Sequence, residues 1–226
     1  MMRDELVDRI AELEADNRRL RRLLDGRDAP GELRHRLRGT LSMLRTIIRH
    51  SADQAVDVEH YVAHLLDRLD AVSRAQAVAD ANGSVDLHSL IADQLLQYRI
   101  SEDNGLRLQG PEIQLCARPA QILALAVHEL AVNAIEHGTL GAEAGRLDVA
   151  WDFAPDGQNL VLTWKESGVA AIAAPSTQGF GTEVLTTMLA HDLKVDTSLD
   201  WEADGLRCVL VIPWSEKVGS RPSAKS

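Results

Sequence analysis

Apolar residues in the first third of the chain recur at helical spacing, whereas beyond Asn82-Gly83 they gather into shorter segments divided by turn residues. Leu6, Ile10, Leu13, Asn17, Leu20 and Leu24 follow one another at intervals of 4, 3, 4, 3 and 4, the a/d repeat of a coiled coil. Asn17 falls at an a position, where one buried amide can set the register of two parallel strands, so residues 1–25 predict a dimeric coil. A single amphipathic helix packed on its own chain is the alternative. Asp25-Gly26 and Ala29-Pro30-Gly31 interrupt the pattern, as helix breakers do.

A second helix is predicted over Glu32–His50, with Leu33, Leu37, Leu41, Leu44 and Ile48 on one stripe and His35 off it. After Ser51-Ala52-Asp53 a third carries Val58, Val62, Leu65, Leu69 and Val72, so residues 32–81 read as an antiparallel hairpin. One hairpin buries such long stripes poorly, and two of them would form a four-helix bundle in a homodimer. A second domain, 84–215, is predicted to hold helices near Val85–Tyr98, Pro119–His137 and Gly181–Ala190. Its strands fall near Leu106–Leu108, Arg146–Phe153, Asn159–Lys165, Lys194–Trp201 and Leu206–Pro213, which makes the whole an α+β chain with a C-terminal sandwich. The polar tail, 216–226, reads as flexible.

The formal charge of −10 over 226 residues excludes a general nucleic-acid binder, and 45% hydrophobic residues exclude disorder throughout. Cys116 and Cys208 stand far apart and outside any CxxC pair, against both a zinc site and a disulfide framework. The start is charged from Arg3, and the most apolar stretch, Ile122 to Ile135, is broken by His128, Glu129 and Asn133. The expectation is therefore a cytoplasmic protein with no direct membrane insertion. Residues 26–50 carry six Arg against two acids, a positive face beside His35 that suits an anionic phosphate or an acidic partner, or else a solvated helix face.

The run His128-Glu129-Leu130-Ala131-Val132-Asn133-Ala134-Ile135-Glu136-His137-Gly138 sets Glu129 and Asn133 four apart on one helix face. A carboxylate and an amide so placed can hold a hydrated Mg²⁺, which prefers oxygen ligands, although the spacing alone fits a polar helix face equally well. Glu166, at the end of a strand in Thr163-Trp164-Lys165-Glu166-Ser167-Gly168, is placed to meet a ligand's amino group, and Gly168 to let backbone approach closely. Gly179-Phe180-Gly181-Thr182 precedes a helix, and such a turn suits phosphate. His60 and His64, four apart, read as solvent-facing because no third metal ligand accompanies them.

Taken together and in this order, His35-Arg36 opening a helical hairpin, the HELAVNAIEHG helix, the Trp164-Lys165-Glu166 strand end and the Gly179–Thr182 turn resemble the HWE family of sensor histidine kinases. His128 matches that family's histidine, and Trp164 with Glu166 its Trp-x-Glu pair. Arg68–Val78 resembles its second hairpin helix. The resemblance implies a dimerisation and histidine-phosphotransfer hairpin followed by a Bergerat-type ATP-binding domain, with ATP and Mg²⁺ as cofactors. It implies His35 as phosphoacceptor, with Glu32 one turn earlier as an orienting base. Asn133 and Glu129 would serve at the metal, and Gly179, Gly181 and Thr182 at the phosphates. His128, Trp164, Glu166 and Gly168 would complete the nucleotide side. A receiver domain of a separate response regulator would accept the phosphoryl group, and a sensory partner would act through the N-terminal coil. Arg38-Gly39 stands where the family has Lys-Asn, and Val169-Ala170 follows Gly168 where it has Gly-Pro. The rival reading is accordingly a pseudokinase or histidine phosphotransfer protein that relays phosphate between receivers without using ATP. A coiled-coil scaffold without phosphoryl chemistry is the other.

Overall fold

Helix α1 spans Gly31–Asp53 and α2 spans Val58–Asn82. In the computed structural model the described residues are 31–53, 57–98, 100, 105–136, 138–141, 145–168 and 179–221, with backbone alone at 32–36, 50, 52, 53 and 141. The coil expected over 1–25, His137 and the stretch 169–178 lie outside them. The chain divides into two packing units, Met1–Leu69 and Asp70–Ser226, with the boundary inside α2.

In the first unit α1 buries Leu41, Met43 and Ile47, while Leu37, Leu44 and Ile48 are half-buried. Its apolar arc is thus wider than the single stripe read from spacing. From α2, Tyr61 and Leu65 are buried, and two polar ties join the helices: Tyr61 Oη donates to the Ile48 carbonyl at 3.5 Å, and Arg68 Nη1 to Ser51 Oγ at 2.8 Å. Arg68 is buried, so its guanidinium needs such acceptors.

The second unit is a helical layer on a five-stranded sheet. After the two-residue strand β1 (Val85–Asp86) comes α3 (Leu87–Leu96), then β2 (Leu106–Gln109), β3 (Gln114–Leu115) and α4 (Ala117–Glu136). A 3₁₀ turn (Thr139–Gly141) leads to β4 (Arg146–Phe153) and β5 (Asn159–Ser167). Next is α5 (Phe180–Glu183), continued by a π segment (Val184–Met188) and α6 (Leu189–Leu193), before β6 (Asp196–Glu202), β7 (Gly205–Pro213) and β8 (Gly219–Ser220). The large sheet has the order β2-β4-β5-β7-β6, with β2 parallel to β4 and the other neighbours antiparallel. Strict alternation along β5 and β7 sends Leu160, Leu162, Trp164 and Leu206, Cys208, Leu210, Ile212 to one buried face, as period-2 side chains must when one side meets helices. Ile122, Leu123, Leu125, Leu130 and Ala134 of α4 are fully buried in the same unit.

Several boundaries differ from those read in the sequence; the strand expected from Lys194, for one, starts at Asp196, because Lys194 caps the preceding helix. The helix expected from Val85 starts at Leu87, because Asp86 is an extended N-cap whose carboxylate accepts from Ser89 N at 2.8 Å and whose backbone pairs with Gln114. The helix expected over Gly181–Ala190 runs to Leu193 and carries the π segment, then ends where Lys194 turns left-handed at φ 58°. The tail expected to be flexible from 216 is tied down as far as Arg221. Val218 is buried, and β8 completes a small sheet in the order β1-β3-β8. Arg221 caps the Phe153 ring at 3.4 Å and donates to the Gly157 carbonyl.

Candidate functional site

Helix α4 is buried along most of its length, so each polar side chain it carries inward must find a partner. His128 is 1% exposed, and its Nδ1 lies 2.9 Å from the Tyr98 hydroxyl, one hydrogen being shared between them. Gln121 donates to Gln76 Oε1 of α2. Glu129, 3% exposed, and the half-buried Asn133 follow on one face, a turn apart.

The start of α5 lies against that face. Gly179, extended at φ −90° and ψ 177°, leads into Phe180, which is buried and anchors the turn. A Cβ on Gly181 would stand 2.9 Å from Asn133 Nδ2 and 3.4 Å from Glu129 Oε2, so the turn packs closely on this face of α4 and a side chain there would have to displace the Asn133 amide. Glu183 N closes the turn on the Gly179 carbonyl at 3.2 Å, and the Thr182 carbonyl accepts from Thr186 Oγ1 at 2.8 Å. A carboxylate oxygen of Glu129, the side-chain amide of Asn133 and a glycine turn thus converge, and a carboxylate with an amide oxygen is a hard donor set that suits Mg²⁺ beside a phosphate.

Beyond the end of α4 is Glu166, 1% exposed on β5. Its Oε1 accepts from Trp164 Nε1 at 3.0 Å, and its Oε2 accepts from Thr139 N at 3.2 Å and Thr139 Oγ1 at 3.4 Å. Burial pushes the Glu166 carboxyl above its ordinary range, against the opposing pull of these donors. Trp164 is fully buried, and so is Cys208, whose thiol burial pushes up to about 12 with help from the charges of Glu166 and Asp200. Gly168 follows β5 at φ 99°, a left-handed conformation that favours glycine.

The structure therefore brings Glu129, Asn133 and Gly181 together, and sets Trp164 and Glu166 against the turn that follows α4. His35 and Glu32 belong to α1 in the first unit, with side chains outside the described residues. His60 and His64 have Nε2 atoms 3.0 Å apart, and no group of three or more metal-binding side chains occurs among the described residues. The sequence pattern gives Tyr98 and Thr139 no role, and Gly138 enters it only as the end of the His128–Gly138 run. Gly138-Thr139 had a local signal, a glycine closing a helix, but its link to Glu166 exists only in the fold. Among the described residues no helix is long and apolar enough to cross a membrane.

The HWE histidine kinase family model matches residues 32–112. A blue-light-activated histidine kinase of Rhizobium johnstonii is 32% identical over 207 residues, 91% of this chain and 56% of that protein. The chain belongs to the HWE histidine kinase family. A blue-light-activated histidine kinase of Brucella ovis is 26% identical over 191 residues, covering 83% of this HWE-family chain and 39% of the relative. The chain thus spans about half the length, or less, of these relatives. Among solved structures, the histidine kinase domain of the Erythrobacter litoralis EL346 blue-light-activated histidine kinase matches with a TM-score of 0.59 at 16% identity, over 93% of this chain and 96% of that one. The longer EL346 structure matches with a TM-score of 0.61 at 14% identity, over 84% and 62%. At these identities the likeness is one of fold: helices followed by the mixed helix-and-sheet domain of histidine kinases.

Proposed function

We propose that the chain is an ATP-dependent histidine kinase that phosphorylates itself on His35 and passes the phosphoryl group to an aspartate of a separate response regulator. The observation that carries this reading is the seating of Gly181 against Glu129 and Asn133, a glycine packed against a carboxylate and an amide on one helix face, in a member of this family. Asn133 and Glu129 would hold the metal, and Gly179, Gly181 and Thr182 the phosphates. His128 would fix the helix through Tyr98, and Trp164, Glu166 and Gly168 would shape the nucleotide side. Mg²⁺, when bound, supplies charge neutralisation at the β- and γ-phosphates.

The chemistry asked of the chain's own residues is positioning and proton management. An imidazole nitrogen of His35 forms a P–N bond to the γ-phosphorus while the bridging P–O bond breaks and ADP leaves. The ring proton released goes to Glu32, one helical turn earlier, or to water. Residues 32–81 serve as the dimerisation and phosphotransfer hairpin in this reading, and 84–215 as the ATP-binding domain. The N-terminal coil serves as the route for a sensory partner.

The test is transfer of γ-labelled phosphate from Mg-ATP into the full chain, run beside His35→Ala and Asn133→Ala. Acid-labile label in the wild type that drops at least about a hundredfold in both variants is the expected result. A folded dimer that takes no label from ATP but accepts it from a phosphorylated receiver would replace this reading with that of a phosphotransfer protein.

A further inference from the structure

Helix α2 carries an imidazole pair in its first two turns. His60 and His64 stand four apart, so one helical turn sets them on the same face. The backbone beneath them is held in place, because Asp57 Oδ1 accepts from His60 N at 2.8 Å and so satisfies one of the amides that a helix start leaves without an intrahelical partner. His60 is exposed and His64 half-buried, which leaves the pair open to solutes. The ring centroids are 4.2 Å apart with the planes tilted by 56°, and the atoms that meet are the two Nε2 nitrogens, at 3.0 Å. One Nε2–H donates to the other Nε2. On an exposed face water offers both nitrogens equivalent bonds, so this hydrogen bond by itself gives the rings little reason to converge.

The separation matches one kind of ion. At metal–nitrogen bonds of about 2.0–2.1 Å, nitrogens 3.0 Å apart subtend about 91–97° at a common ion, whereas a tetrahedral ion needs them about 3.3–3.4 Å apart. Near-right angles belong to the tetragonal sites of copper(II) and nickel(II), and copper(II) leads the divalent first-row ions in affinity for nitrogen ligands. No third His, Cys, Asp or Glu joins the pair among the described residues, so water or a ligand from solution completes the coordination. The positive end of the helix dipole opposes a cation here, and the exposed carboxylates of Asp57, Glu59 and Asp67, each within a turn of the pair, counter that field.

We propose that His60 and His64 form a two-imidazole binding site for a divalent transition-metal ion of tetragonal preference, copper(II) or nickel(II), held through both Nε2 atoms. The ring whose Nε2 carries the hydrogen gives it to water and regains one at Nδ1, so both lone pairs reach the ion and the neutral pair releases no net proton. Bound in this way, the ion ties the first turn of α2 to the second.

The test titrates the full chain with Cu²⁺, glycine serving as competing chelator, beside His60→Ala, His64→Ala and the control His88→Ala. Both target positions are on the helix surface and Ala is the best helix former, so the variants keep their helical circular dichroism. Either loss within the pair should weaken the tightest site by about tenfold or more, because a lone imidazole forfeits the second, intramolecular ligand, while His88→Ala leaves it unchanged. Pulsed electron paramagnetic resonance with less than one equivalent of Cu²⁺ counts the ligands, and modulation from two imidazoles is expected in the wild type. Modulation from one imidazole, or a tightest site that survives either substitution within about twofold, makes the ion adventitious and overturns the proposal. Hydrogen exchange over residues 58–64 reads the bridge independently of affinity. With Ni²⁺ at ten times its dissociation constant, an ion that binds only the closed turn slows exchange about tenfold in the wild type and not in His64→Ala. Exchange that Ni²⁺ leaves unchanged in the wild type overturns the proposal as well.

Discussion

The buried carboxyl of Glu166 makes stability depend on pH with a definite sign. Its pKa is raised in the folded chain from the ordinary 4.5, burial outweighing the hydrogen bonds from Trp164 and Thr139. From pH 4.5 upward to the raised value, the folded state therefore keeps a proton that the unfolded chain has released, and stability falls as pH rises through that window. Gln at this position does not titrate. Denaturant unfolding of wild type and Glu166→Gln should show the wild-type advantage larger at pH 5 than at pH 8, a tenfold difference in proton affinity between folded and unfolded chain being worth about 1.4 kcal/mol. An advantage that grows with pH would mean that the three donors outweigh burial. Cys208 lies in the same unit and feels the same charge, and with its thiol pushed up to about 12 it behaves as a small neutral core residue.

At the scale of elements, the C-terminal segment contributes more than its polar composition announces. Val218 is 6% exposed, its carbonyl accepts from Cys116 N at 2.9 Å, and the Trp214 ring meets Phe153 edge-on at 5.0 Å. Val218→Asp would put an unpaired carboxylate among these groups and should cost about 2–4 kcal/mol in chemical denaturation followed by tryptophan fluorescence. A loss within about 0.5 kcal/mol would show that β8 merely rests on the surface. The segment was illegible in the sequence because a two-residue strand has no period to detect, and its partner Gln114 lies far earlier in the chain. The same holds for β1 and β3, whereas the π segment lies inside a helix whose spacing reads as continuous. By contrast α4, β4, β5 and β7 are long enough for their burial pattern to repeat, and their spacing announced them. Within the site, Glu129 and Asn133 were readable because one helical turn relates them. The fastening of Thr139 by Glu166 was not, since only the folding of α4 onto the sheet brings these two residues together.

For the whole molecule, the first unit leaves apolar surface that its described residues do not cover. Leu66 of α2 is 54% exposed, and Val62 and Leu69, on the same face by helical spacing, are only half-buried, as are Leu37, Leu44 and Ile48 of α1. An exposed Leu alone needs no explanation, but a stripe of three at helical spacing fits a second copy of the chain, as the proposed dimeric hairpin requires. Fully burying a Leu side chain is worth about 1.5–3 kcal/mol. Because Leu66 has about half its surface left to bury and a symmetric dimer contains it twice, its share comes to roughly 1.5–3 kcal/mol of dimerisation. Leu66→Asp should accordingly weaken self-association by at least about tenfold in sedimentation equilibrium, with helical circular dichroism retained in the monomer. Dimers as tight as wild type would place the association elsewhere, in the predicted coil of residues 1–25. Loss of label on His35 in proportion to loss of dimer would go further, because it would make the dimer a requirement for phosphorylation. Label on the Asn133→Ala chain when it is mixed with His35→Ala would then mean that the phosphoacceptor of one copy is served by the nucleotide domain of the other.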